Sequence, residues 1–495
     1  MGEEGPAATT LPPVRYPLSV LLLLLACFHA GAPIAGCVPD GAVASASAAP
    51  GARTTGAVVA AVAVPAPPTD PVVDRLLAAA RADRAAWDRL AALCDGFGAR
   101  PTGSKALANA IAWSADQLRA DNLTNVRLEP VSVPVWSRGA ESLVMTAPYT
   151  ESLALLGLGG SVGTAGVEAS VVVVPSFEAL DALGPKVAGK IVLFNRPMEE
   201  GVPSINHYGP AVAYRSQGAA RAGQYGAVAA LVRSVTTRSL NSPHTGAMRY
   251  TAGVAPIPTA AVATEDADRI ARMTAAGTDV RLRLTMGATA QPDAPSHNVV
   301  ADLPGETDEI VLIGAHIDSW DVGTGAHDDG AGVIHVIEAM RHLRALGITP
   351  KRTIRAVLFT NEEYGLRGGT AYDATHGAEP HVAAIESDLG GGAPLGWTAT
   401  GTPADTAWLT TALAPTGLGV LGEGGGADIG PLGARGVLLI GLAPDDTRYF
   451  DIHHTEADTV DKVDPAALAE GVGQLAALAW RLANEPRVGV ERASQ

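Results

Sequence analysis

The stretch Gly314-Ala-His316-Ile-Asp318-Ser-Trp-Asp321-Val-Gly-Thr-Gly-Ala-His327-Asp328-Asp329-Gly330 decides how this chain is read. It follows an apolar run, 310–313, with the composition of a buried strand. Three more acid or histidine clusters lie downstream. Glu362-Glu363 follows the apolar run 353–360, Asp388 follows 382–385, and His453-His454-Thr-Glu-Ala-Asp458-Thr459 comes near the C-terminus. In open α/β sheets ligands bind beyond the carboxyl ends of the strands, so residues distant in sequence converge on one rim. Two divalent ions about 3.5–4 Å apart need a bridging acid, flanking ligands for each ion and a free carboxylate as base. The clusters supply that inventory. Taken singly, Asp-Asp-Gly reads as a turn and Glu-Glu as a solvated face. Their occurrence in order, after apolar strands, favours the site.

The surrounding pattern predicts an α/β fold. Strands are expected at 126–135, 298–303, 309–313, 353–360, 382–385 and 436–442. Apolar spacing of three and four residues predicts helix within 71–93, 106–121, 332–346 and 465–482. The alternation implies a mostly parallel mixed sheet with helices on both faces. Between 136 and 293 the texture changes to short β runs (170–174, 190–194, 228–232) separated by Gly and Pro turns, with a short helix at 219–225. This segment reads as an inserted, mainly β domain, which leaves 71–135 and 294–490 as the catalytic domain. His207 and His244 stand alone in the insert and are expected on its surface or in its core.

Composition sets further bounds. The chain has 495 residues and is 47% hydrophobic, enough for a large core. Its net charge is −16 and no Lys/Arg-rich run occurs, which argues against nucleic acid as a partner. Arg15 precedes an apolar run, 18–28, too short to span a bilayer and suited to a signal-peptide core. Ile34-Ala-Gly-Cys37 has the form of a bacterial lipobox. Residues 1–37 are therefore expected to direct export, with Cys37 as a lipid anchor and membrane contact only through it; simple secretion is the alternative. Residues 38–70 read as a flexible Ala/Pro-rich tether. Three cysteines make no disulfide framework, and Cys94 reads as a small core residue. The ligands at the clusters must then be His and carboxylate.

Taken together, HxD, DDG, EE, D and HxxxDT resemble the M28 family of zinc peptidases. Gly98-Ala-Arg-Pro-Thr-Gly-Ser104, Leu128-Glu-Pro-Val131, Trp136-Ser-Arg-Gly-Ala-Glu-Ser142, His316-Ile-Asp-Ser-Trp-Asp-Val-Gly323, Glu386-Ser-Asp388 and Asp428-Ile429 extend the resemblance to its carboxypeptidase Q-like branch, over residues 72–485. The resemblance implies the zinc exopeptidase fold, a protease-associated-like insert and two Zn²⁺ per chain. By it, His316 and Asp388 would hold one ion, Glu363 and His454 the other, and Asp328 would bridge them. Asp318 would accept the second ring N–H of His316. Glu362 would be the general base. The Asp328–Asp329 peptide would be cis. The ligand histidine lies four residues before Asp458, which selects His454 over His453. His327 is expected to line the pocket, and His335 and His342 to be structural or exposed. Asn361 and Glu456-Ala457 depart from the family pattern at positions that are not ligands.

The function read from this is hydrolysis of dipeptides or short peptides by a two-metal exopeptidase, with a homodimer among the assemblies open to it. A single-metal glutaminyl cyclase-like acyltransferase is one alternative, separable by counting metals per chain at full activity. A non-peptide amidohydrolase is another. An inactive binding module is a third, disfavoured because such proteins lose ligands and this chain keeps the full set.

Overall fold

In the computed structural model residues 69–487 are described. The signal-like segment, Cys37 and most of the tether lie outside them. No helix among the described residues is long and apolar enough to cross a membrane.

One eight-stranded sheet carries the clusters. Its order is Thr124–Ser137, Thr289–Leu303, Arg352–Phe359, Thr307–His316, His381–Glu386, Leu438–Pro444, Pro394–Thr400, Val420–Gly422. The four strands from Arg352–Phe359 to Leu438–Pro444 are parallel neighbours, with antiparallel pairs on either side. Their side chains alternate between two cores, as the period of two requires. Val311, Ile313, Ile354, Ala356 and Ile385 pack on one face, under Ala331–Ala345 and Pro465–Asn484. Leu312, Val357, Phe359 and Ala384 pack on the other, against Tyr372 and Leu432. Both faces are covered, so the central strands are apolar throughout. This is the expected α/β architecture.

The parallel register aligns the rim. His316 pairs with Phe359, Gly314 with Glu386, and Glu386 with Gly441. The chain therefore leaves all four strands at one edge, carrying His316, Glu362-Glu363, Asp388 and the loop that holds His454.

A second eight-stranded sheet is built entirely from strands between Glu141 and Met286. Strands prevail there, but the expected short helix at 219–225 is instead Ile205–Gln224. Gly209 and Pro210 hid its first half from the reading. Pro210 lies inside the helix, where it lacks the N–H that would bond the carbonyl four residues back. The strand expected from 298 begins at Thr289, where it pairs with Ser137. Its first five residues, Thr-Ala-Gln-Pro-Asp, are all exposed, so no apolar alternation marks them.

Asp446 of the first sheet's loop ties the two parts together. It is buried, and its carboxylate accepts from the Ser204 and Ile205 amides at 2.9 and 2.8 Å, capping the long helix of the insert. Asp446→Ala orphans those amides at the helix start. It should lower unfolding stability by about 1 kcal/mol, read as a reduced midpoint in urea.

Candidate metal centre

His316 ends its strand with its ring fixed from behind. Nδ1 lies 3.0 Å from the main-chain carbonyl of Asp318, so it donates there and leaves Nε2 turned to the cleft. Nε2 is 3.2 Å from Oδ1 of Asp328 and 3.2 Å from Oδ1 of Asp388. His454 is arranged alike. Its Nδ1 is 3.1 Å from the carbonyl of Thr245, and its Nε2 is 3.1 Å from Oδ2 of Asp328 and 3.0 Å from Oε2 of Glu363. Asp328 thus presents one oxygen to each imidazole, between a His316–Asp388 set and a His454–Glu363 set.

The expected role of Asp318 needs correction. Its carboxylate is 3.9 Å from Nδ1 of His316, and its main-chain carbonyl takes the ring proton instead. The buried carboxylate faces the other way. Oδ1 accepts from the Glu362 amide at 3.1 Å, and Oδ2 accepts from the Thr102 hydroxyl at 3.1 Å. Asp318 therefore sets the backbone that carries Glu362. Ile317 still donates to the Phe359 carbonyl of the neighbouring strand at 2.8 Å, and it is the Asp318 carbonyl, not its carboxylate, that meets the imidazole.

His453 is also drawn in. Its ring stacks on that of His454 at 3.6 Å, and its Nε2 is 3.5 Å from Asp328. Only His454 reaches Glu363 as well. His454 has φ 61° and Asn361 φ 69°, in the left-handed region that non-glycine residues rarely occupy. Asn tolerates that region, which explains the departure at 361. Such conformations concentrate at functional sites. The Asp328–Asp329 peptide is cis. His327 lines a neighbouring cleft and accepts from the Gly391 amide at 3.1 Å. His335 and His342 are both buried.

The charges fit a cation site. Asp318, Asp328, Asp329, Glu362, Glu363, Glu386 and Asp388 crowd this rim, and among the described residues no Lys or Arg pairs with any of them. Burial, with the Asp328 charge beside it, pushes Glu363 up to about 7. Burial also raises Glu362 well above the carboxylate range, reinforced by Asp388 and Glu363 against the pull of His316. Against burial, which would discharge them, the carboxylates hold His316 and His454 well above the ordinary imidazole value. Glu363 Oε1 is buried without a hydrogen-bond donor. Facing acceptors and an orphaned oxygen are what divalent cations satisfy, and His and carboxylate donors suit zinc.

Three groups hold the loops in place. Asp458 accepts from the amides of Ala326, His327 and Asp328 at 3.1, 2.7 and 3.1 Å. Asp329 accepts from the amides of His316 and Gly332 at 3.2 and 3.0 Å. Arg100, fully buried, donates to the carbonyls of Ile317, Thr324 and Gly325 at 2.8, 2.6 and 3.0 Å, and to Gly98 at 3.3 Å. The insert contributes as well. Thr245 donates its amide to the His454 carbonyl at 3.0 Å while accepting from the ring. Sequence reading assigned no such role to Thr245, since its main-chain atoms do the work and leave no motif.

A parallel-stranded α/β sheet with this rim defines a metallopeptidase of the zinc exopeptidase fold. The model of peptidase family M28 matches residues 298–479. The chain is 41% identical to carboxypeptidase Q of Bos taurus over 410 residues, covering 81% of this chain and 84% of the bovine protein. It is 40% identical to that of Homo sapiens, with the same coverage. The crystal structure of a peptidase M28 precursor from Shewanella amazonensis aligns with TM-score 0.81 and 37% identity, over 84% of this chain and 96% of that one. An aminopeptidase from Aneurinibacillus shares the fold at TM-score 0.61 and 20% identity, over 83% of this chain and 96% of its own. The chain belongs to peptidase family M28.

Arg100→Met would leave buried carbonyls without donors, each costing about 1–3 kcal/mol. The variant should lose roughly 3 kcal/mol or more of stability, seen as a lowered melting temperature.

Proposed function

We propose that this chain is a two-zinc exopeptidase that cleaves dipeptides and other short peptides. The observation that carries the reading is Asp328, shared between two matched His–acid pairs. His316 and Asp388 would hold one ion, Glu363 and His454 the other, and Asp328 would bridge. Zinc ions bound there would polarise the scissile carbonyl and make a water nucleophilic near neutral pH.

The remaining chemistry belongs to side chains of this chain. Glu362 lines the cleft and forms no ion pair with either imidazole, which frees it for proton transfer. It would take a proton from the attacking water and return it to the leaving amine. Asp318 holds its backbone in place. The cleft has a volume of about 300 Å³ and is walled by the insert helix on one side and the metal rim on the other. That is the low end for ligand pockets and favours small substrates over folded protein.

Glu362→Gln should retain both metals and lose about 10²–10⁴-fold in turnover. Metal analysis beside a dipeptide assay checks this; a variant that lost metal would make Glu362 a ligand.

Asp328→Ala removes the charge shared by both ions, leaving two dications without a common counter-charge. Dialysed protein should contain almost no zinc. His316→Ala should mainly empty one position, to about half occupancy, because the other set stays intact. Full zinc retention in Asp328→Ala would remove the bridge from the scheme.

A further inference from the structure

Two stretches of sequence close to the site supply no metal ligand: Trp136-Ser-Arg138-Gly-Ala-Glu141-Ser142 and the pair Trp320-Asp321. The fold brings them together. Arg138 directly follows the strand Thr124–Ser137 and is 9% exposed. Its Nε and Nη2 donate to the two carboxylate oxygens of Asp321 at 2.9 and 2.5 Å. Asp321 belongs to the loop that joins His316 to Asp328. Nη2 also reaches the Thr245 hydroxyl at 3.3 Å, and Nη1 donates to the Gly157 carbonyl. One guanidinium thus ties a loop of the metal rim to two segments of the insert. A planar fork of five donors suits such a junction, and a point charge does not.

The segments it ties are those that hold the His454 imidazole. Thr245 exchanges two hydrogen bonds with His454, amide to carbonyl at 3.0 Å and carbonyl from Nδ1 at 3.1 Å. Those bonds fix a residue whose φ of 61° is otherwise unfavourable. Thr245 is itself fully buried, and its hydroxyl donates to the same Gly157 carbonyl at 2.7 Å. Glu141 accepts from the Gly157 amide at 3.0 Å, so Gly157 is held by both of its backbone groups. Trp320, next to Asp321, packs edge-on against the His454 ring, with centroids 5.6 Å apart. Its indole lies over Gly159, where a Cβ would fall 2.1 Å from Cη2. Arg138 therefore stands behind both the carbonyl and the indole that meet this imidazole. Among the described residues none of its bonds goes to His316 or Asp388, and His316 is held by its own strand end.

We infer that Arg138 is a positioning residue for the Glu363–His454 metal position: through Thr245 and Trp320 it presents Nε2 of His454 and so sets the affinity for that ion, while the His316–Asp388 position forms without it. The inference rests on the two-zinc reading above and adds the residue through which the insert governs one of the two positions. Groups that orient a ligand histidine typically govern metal affinity by about 10- to 100-fold. Without the guanidinium, the Asp321 carboxylate and the Gly157 carbonyl each lose a donor, and nothing joins the Thr245 segment to the Trp320 loop. Arg138 takes no part in bond cleavage.

The test uses the full chain, stripped of metal and titrated with Zn²⁺ against a chelating dye that competes for it. The unaltered chain should take up two ions. In Arg138→Gln one of them should bind about 10- to 100-fold more weakly and the other as before. His454→Ala keeps the His316–Asp388 position, and adding Arg138→Gln to it should leave the affinity of that remaining ion unchanged. Arg138→Lys should recover part of the loss, since an ammonium can meet Asp321 without joining all three segments. Asp321→Asn removes the charge but keeps the guanidinium, and should weaken the same ion by a smaller factor. Circular dichroism and the urea midpoint report whether each variant is folded. Unchanged zinc binding in folded Arg138→Gln overturns the inference. So does equal weakening of both ions, or a loss that persists in His454→Ala. If Arg138→Gln does not fold, Asp321→Asn decides, and unchanged binding there overturns the inference. An unaltered chain that binds a single ion removes the two-zinc reading itself, an outcome read without any variant.

Discussion

The structure depends on a concentration of buried negative charge at the carboxyl edge of four parallel strands. Carboxylates that approach this closely without lysine or arginine repel one another and resist ionisation. The chain accepts that cost because the strands hold the groups in place. Covered on both faces, the central strands cannot slide without exposing their apolar side chains to the wrong layer. The repulsion is therefore stored in a rigid frame, and divalent cations are what release it.

Around that frame the supporting contacts come mostly from main-chain atoms or from side chains that face away from the cleft. Asp458 and Asp329 gather the amides of the loop that carries Asp328, and Arg100 gathers carbonyls from the loop beside it. The carbonyls of Asp318 and Thr245 each hold one imidazole by its far nitrogen. The two histidines are thus oriented by different parts of the molecule. One is set by its own strand end, and the other by the insert.

This division explains what could be read in the sequence. His316, Glu362, Glu363 and Asp388 were legible because each follows an apolar run whose parallel pairing places its end with the others, whereas Asp328 and His454 lie in loops and were picked out by the family resemblance. The central strands were legible for the same reason. The exposed first part of the strand Thr289–Leu303 was not, since an exposed two-stranded ribbon carries no apolar period. Pro210 concealed half of a helix by mimicking a breaker. Asp318 was correctly placed at the site but given the wrong contact, because a carbonyl and a carboxylate on one residue cannot be told apart by spacing.

The pairing of Thr124–Ser137 with Thr289–Leu303 has a consequence for how the enzyme is made. These strands bracket the whole second sheet, so they can pair only after the long intervening segment has been synthesised. Native pairs of such wide sequence separation slow folding, because loop closure must precede the contacts that reward it. The Thr245–His454 link adds that the insert must also be native before the last imidazole is oriented. Nascent or partly folded chains therefore lack a competent centre, and hydrolytic capacity arrives late and all together.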